Sequence, residues 1–183
     1  MRELSLHILD VIENSLAAGA TLIHISIVDD ADQNMLGITI KDNGKGIEKS
    51  SIKKVLDPFF TTRTTRRIGL GLSLFRDAAE RCGGRFSITS KKNEGTEIVA
   101  TFERDHIDRA PLGDSAGTLL SLVVGNPFVD FTYTHEIAGS SFFLDTRQIK
   151  KELEGVPVSH PDVVKWLGDT IRQGLVTLTD TNG

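Results

Sequence analysis

Asp42-Asn43-Gly44-Lys45-Gly46-Ile47 follows a strand-like run, Leu36 to Lys41, and its reading decides the fold. An Asp at the end of a strand caps or turns the chain in most proteins. Two glycines at alternate positions let a backbone come close to whatever lies beside it. The flanking sequence gives the turn its meaning. Upstream, Leu4, Ile8, Val11, Ile12 and Leu16 keep helical spacing, which predicts a helix over residues 3–17 that stops at Gly19. His7, Asp10 and Asn14 form a polar stripe on that helix, with His7 expected to be exposed. Downstream come Asp57-Pro58-Phe59-Phe60-Thr61-Thr62-Arg63 and Gly69-Leu70-Gly71-Leu72.

The remaining elements follow from period and turn signals. Thr21 to Val28 reads as a strand, 51–56 as a short helix, and Leu70 to Cys82 as a helix closed by Gly83-Gly84. Arg85 to Ser90 and Thr96 to Phe102 read as a hairpin. Residues 105–117 are polar, with Pro111, Gly113 and Gly117, and read as a linker between a first domain, 1–104, and a smaller region, 118–183. In that region Leu119 to Val124, Phe128 to Thr134 and Ser141 to Leu144 read as strands, and Thr146 to Glu154 and Pro161 to Leu175 as helices. A regulatory or partner-docking role is the expectation for it.

Composition narrows the function classes. A chain of 183 residues, 39% hydrophobic and 25% charged, buries an ordinary core. A net charge of -4 gives no reason to expect nucleic acid or a membrane as partner. With one cysteine, Cys82, the chain has no internal disulfide and no thiolate metal cluster of its own. The N-terminus lacks a signal-peptide layout and no run reaches the length of a span, so a cytoplasmic protein is expected. The Gly-x-x-x-x-Gly-Lys-Ser/Thr phosphate loop is absent, and neither glycine pair extends to Gly-x-Gly-x-x-Gly.

Each motif alone has an unremarkable reading, and the combination does not. A carboxylate in a glycine turn accepts a hydrogen bond from the adenine amino group. Asn14 offers one oxygen to magnesium, an ion that keeps waters and bridges phosphates. Asp10, one turn earlier, is placed to act as a base. Glycines at a helix start expose N–H groups where the helix dipole favours anions, and Arg63 precedes them. ATP with Mg2+ is the ligand these residues predict.

In order and spacing the motifs resemble the GHKL superfamily, the Bergerat-fold ATPases, over roughly residues 3–103. Val11-Ile12-Glu13-Asn14-Ser15-Leu16-Ala17 resembles the N box, in a form similar to the mismatch-repair ATPases. Asp42-Asn43-Gly44-Lys45-Gly46 resembles the G1 box, Pro58 to Arg63 the F box of histidine kinases, and Gly69-Leu70-Gly71-Leu72 the G2 box. Gly95-Thr96 resembles the late Gly-Thr pair. The resemblance implies an α/β fold of the α+β two-layer kind: a mixed sheet covered by helices on one face, here with a small C-terminal α/β extension. It implies Asn14 as metal ligand, Asp10 as catalytic base, and Asp42, Gly44, Gly46, Thr62, Arg63, Gly69, Leu70, Gly71, Leu72 and Thr96 around the nucleotide, with the Thr96 hydroxyl supporting Asp42.

The departures from the family shape the functional expectation. Asp10 stands where hydrolysing members and serine kinases commonly carry Glu, and where typical histidine kinases carry Asn. Ala17 replaces a basic residue of the histidine-kinase N box. Few residues precede the motifs, so a phosphoacceptor is expected on a separate protein partner or substrate, with a homodimer as a further assembly. A kinase or ATPase acting on that partner is the first reading. An ATP-driven switch and an accessory subunit with little turnover are the others.

Overall fold

The computed structural model describes residues 3–56 and 71–180. Helix α1, Leu4–Ala17, is followed by strands β1, Leu22–Asp30, and β2, Met35–Asp42. A 3-10 turn, Lys49–Ser51, runs into the short helix α2, Ile52–Val55. Then come α3, Gly71–Arg81, and strands β3, Phe86–Lys91, and β4, Gly95–Glu103. The second half contains α4, Ser115–Gly125, β5, Asp130–Ile137, β6, Ser140–Asp145, α5, Thr146–Glu152, and α6, Pro161–Asp180.

The six strands form one mixed sheet in the order β3-β4-β2-β1-β5-β6. Neighbours are antiparallel except β1 and β5, which run parallel. Side chains alternate across a strand, so register decides what faces the helices. Ile23, Ile25 and Ile27 on β1 lie beside Asp42, Ile40 and Ile38 on β2, and beside Phe131, Tyr133 and His135 on β5. Ile98, Ala100 and Phe102 continue the same face on β4. Against it pack Ile8, Val11 and Ile12 of α1, Leu72, Phe75 and Ala79 of α3, Leu119 and Leu122 of α4, and Leu167 and Ile171 of α6. This is the two-layer arrangement expected. Its polar outer face carries His24, whose ring Nδ1 lies 2.6 Å from the Thr132 hydroxyl, and the pair Lys41–Glu97 at 3.8 Å.

Two features differ from the sequence reading. Residues 119–124, expected as a strand, lie in the C-terminal half of α4. Leu119, Leu122 and Val123, three and four apart, make its buried face, and a short apolar run does not by itself tell strand from helix. The missed signal is Asp114, whose carboxylate accepts the Gly117 N–H at 2.8 Å as N-cap. Asp114→Ala is expected to cost about 1 kcal/mol in urea unfolding.

The second difference lies in residues 110–113. The carbonyls of Pro111 and Leu112 accept the N–H groups of Leu4 and Ser5, at 3.0 and 2.9 Å. Glu3 makes no side-chain cap, so these carbonyls satisfy two of the orphan donors at the start of α1. At the other end, Gly19 donates to Leu16 and Ala20 to Ser15, a Schellman closure. Gly83 and Gly84 close α3 in the same way, on Glu80 and Ala79.

Candidate functional site

The nucleotide-type turn is built from the end of β2 and the end of α1. Asp42 is 7% exposed. The Ser15 hydroxyl donates to its Oδ2 at 2.7 Å, and the Gly44 N–H donates to its Oδ1 at 2.8 Å. One donor on each oxygen fixes the carboxylate plane and leaves further lone pairs for a ligand. Lys45 donates its N–H to the Ala18 carbonyl at 3.0 Å, which ties the turn to the last turn of α1. The Asn43 carboxamide oxygen accepts the N–H groups of Thr21 and Leu22, at 2.9 and 3.0 Å, and anchors the turn to the entry of β1.

The glycines here leave no room for a side chain. A Cβ at Gly44 would lie 3.0 Å from the Ala18 Cβ and 3.1 Å from the Ala18 carbonyl oxygen. Gly46 has φ +64°, and a methyl there would overlap the Lys91 carbonyl. Behind the turn, Ser90 Oγ accepts the Ile47 N–H at 2.8 Å and donates to the Gly95 carbonyl at 2.9 Å. Thr96 stands opposite Asp42 in the β2–β4 pairing. Its hydroxyl, implied to support Asp42, lies 2.8 Å from Ser90 Oγ instead; the hydroxyl on the carboxylate is that of Ser15.

The catalytic-type stripe lies on α1 and meets α3. Asp10 is half-buried and Asn14 is exposed. Gly71, the first residue of α3, sits against Asp10: a Cβ there would lie 2.9 Å from the Asp10 Cβ and 3.2 Å from Oδ2. Leu72, expected beside the nucleotide, turns its side chain into the core, 6% exposed. Thr62, Arg63, Gly69 and Leu70, with the rest of residues 57–70, lie outside the described residues. His7, read from the stripe as an exposed residue, is buried and stacks on Phe75.

Ser15 and Ser90 are the site residues that sequence reasoning missed. Ser15 carried a readable signal. It shares the buried face of α1 with Leu4, Ile8, Val11 and Ile12, and a hydroxyl on an apolar stripe needs a partner. Ser90 carried half of one: it and Thr96 flank the loop of the expected hairpin and so face each other, but the Ile47 N–H comes to it from a turn 43 positions away.

Comparison with known proteins agrees with this geometry. Residues 2–106 match the family described as histidine kinase-, DNA gyrase B- and HSP90-like ATPases. A sensor protein of Shewanella frigidimarina is 34% identical over 97 residues, 52% of this chain and 15% of its own length. Sensor histidine kinase YcbM of Bacillus subtilis is 29% identical over 100 residues, 52% of this chain and 32% of its own. The chain thus spans less than a third of these relatives. The MutL ATPase domain of Aquifex aeolicus, solved with ADP, superposes with a TM-score of 0.53 at 18% identity, over 84% of this chain and 70% of that one. A buried turn carboxylate, a helix with the N-box residues, and a family match over more than half the chain point one way: this chain belongs to the histidine kinase-, DNA gyrase B- and HSP90-like ATPases.

Proposed function

We propose that the chain is a magnesium-dependent ATP-binding module of the histidine-kinase type that phosphorylates or regulates a separate protein partner. The observation that carries this reading is the Asp42 carboxylate, buried and held on both oxygens by Ser15 and Gly44. An acceptor so fixed suits the amino group of adenine, and Gly44 and Gly46 let the turn that carries it pack closely on Ala18 and Lys91. Asn14 would be the protein ligand of magnesium, which when bound neutralises phosphate charge. Among the described residues there is no group of three or more His, Cys, Asp or Glu able to hold a metal ion, so phosphates and waters would complete the shell.

Asp10 would take the proton of the attacking hydroxyl. Gly71 keeps the carboxylate and the start of α3 in contact, so the base stands beside the helix end that favours phosphate. Thr62, Arg63, Gly69 and Leu70 are proposed for the phosphate side on motif grounds. Transfer would rest on positioning and on charge stabilisation. The partner supplies the phosphoacceptor in this reading.

The packing of α4 on α1 favours a second reading. Residues of α4 lie beside Ser5 and Ile8, and residues 111–112 cap the same helix. Nucleotide at the turn would then act on the C-terminal half, as in an ATP-driven switch or a nucleotide-sensing subunit with little turnover. Transfer of label from γ-labelled ATP to proteins of the source cell separates the two. Under the kinase reading one acceptor is labelled, and Asp10→Asn lowers the transfer rate by roughly 10²–10⁴-fold, the range for a lost general base. Turnover to free phosphate with no labelled protein, lost in the same variant, would replace the kinase by the switch.

A further inference from the structure

His7 is the polar residue that the proposed chemistry leaves unused. It lies one turn before Asp10 on the stripe that continues to Asn14, and it is 3% exposed. Its ring stacks on Phe75 with centroids 5.2 Å apart and planes 14° apart. Burial pushes its pKa down to about 4, so the ring is neutral and carries one N–H and one bare nitrogen. Nδ1 is buried with no hydrogen-bond partner among the described residues. An unmet buried polar atom subtracts from stability. Phenylalanine would fill the space and stack without that cost, so packing alone does not account for a histidine here.

Its surroundings supply a use. On α1, His7 and Asp10 are one turn apart; on α3, Gly71 and Phe75 are one turn apart. His7 on Phe75 and Asp10 against Gly71 therefore form two rungs of one seam between the helices. The N–H groups that favour anions lie at the Gly71 end of that seam. Negative charge brought to this end acts directly on the rung that holds Asp10, and through the rigid helix on the rung that holds His7.

We propose that His7 is a positioning residue whose Nδ1 gains its hydrogen bond in the nucleotide-loaded arrangement of the seam, holding the glycine end of α3 against Asp10. The inference rests on the ATP reading above. A bond made in the loaded arrangement and missing from the empty one counts wholly toward binding.

The test uses the full chain with two readouts. In nitrogen-15 spectra of labelled histidine, saturating MgATP should move the His7 Nδ1 resonance and leave those of the half-buried His106 and the exposed His160 in place. In parallel, His7→Phe should melt at a higher temperature without nucleotide yet bind MgATP roughly tenfold more weakly, the equivalent of one hydrogen bond to a buried group. His7→Asn, which returns a polar atom near the Nδ1 position, should recover part of that affinity without the gain in melting temperature. Wild-type affinity in His7→Phe, or an unmoved Nδ1 resonance in the saturated protein, overturns the inference and leaves the ATP reading standing. If His7→Phe does not fold, the resonance decides alone. If the unaltered chain fails to bind MgATP at all, the ATP reading fails and takes this inference with it.

Discussion

Asp42→Asn weakens ATP binding by roughly 10–150-fold, the range for one hydrogen bond to a charged group. The substitution keeps the volume of the side chain, so the fold survives it. The amide oxygen still accepts from the Gly44 N–H, and the Ser15 hydroxyl rotates to accept from the new NH2 group, which now stands at the Oδ2 position. What changes is the character of the surface offered to the base. A carboxylate accepts only, whereas the amide presents a donor on one side. The exocyclic amine of adenine is itself a donor and meets it badly; the carbonyl of guanine at the same place is an acceptor. The preference for ATP over GTP should therefore shrink along with affinity, as read by competition against a fluorescent nucleotide. An unchanged ATP affinity and an unchanged ATP-to-GTP ratio would show that Asp42 does not read the base. Asp42→Ala is the poorer variant, because it removes the acceptor of the Gly44 N–H and leaves the Ser15 hydroxyl only the longer bond to the Val11 carbonyl, and so mixes recognition with stability.

Gly95→Ala should be the most destabilising single change at the site, by roughly 3 kcal/mol or more. Gly95 has φ +107°, and a methyl there would run into the Asp42 carbonyl and the Asn43 backbone. Neither neighbour is the flexible end of a side chain, so the strand pair itself must give way. The wall it forms stands directly behind the turn, through the Ser90 hydroxyl bonded to the Gly95 carbonyl. Gly139 is the control: its φ is +82° and a Cβ there meets nothing within 4 Å. Gly139→Ala carries the left-handed strain alone and should cost about 1–2 kcal/mol. Equal shifts of the urea midpoint in the two variants would show that close approach to Asp42 is not what makes Gly95 necessary.

The parts of this architecture that local chemistry dictates were legible in the sequence. Apolar spacing over Leu4 to Leu16 marked α1, and alternating isoleucines at 23, 25 and 27 marked β1. Gly83-Gly84 marked the end of α3. The site was legible as a set of motifs: Asp42 and Gly44 meet the end of α1, Gly46 packs on the Lys91 carbonyl, and Gly71 meets Asp10. What was not legible depends on register and on segments far apart in the chain. Ser90 accepts the Ile47 N–H because the β3–β4 hairpin closes behind the glycine turn. His7 looked like one more polar residue of an exposed stripe, and the helix that buries it begins 64 positions later, at Gly71. The polar run 105–117 looked like a spacer because its backbone carbonyls, which cap α1, leave no mark in the sequence.

That cap has a mechanical consequence. Helix α1 has 14 residues and is a rod about 21 Å long at 1.5 Å per residue. One end is pinned to the glycine turn by the Lys45 N–H on the Ala18 carbonyl; the other is pinned to the Pro111 and Leu112 carbonyls. A rod fastened at both ends carries load along its axis, since stretching it would lengthen every hydrogen bond in series. Under the switch reading, a displacement at the turn would be passed along this rod to residues 111–112, which stand just before Asp114, the N-cap of α4. The same strut carries Asp10 and Asn14 and ties the glycine turn to the segment that enters α4.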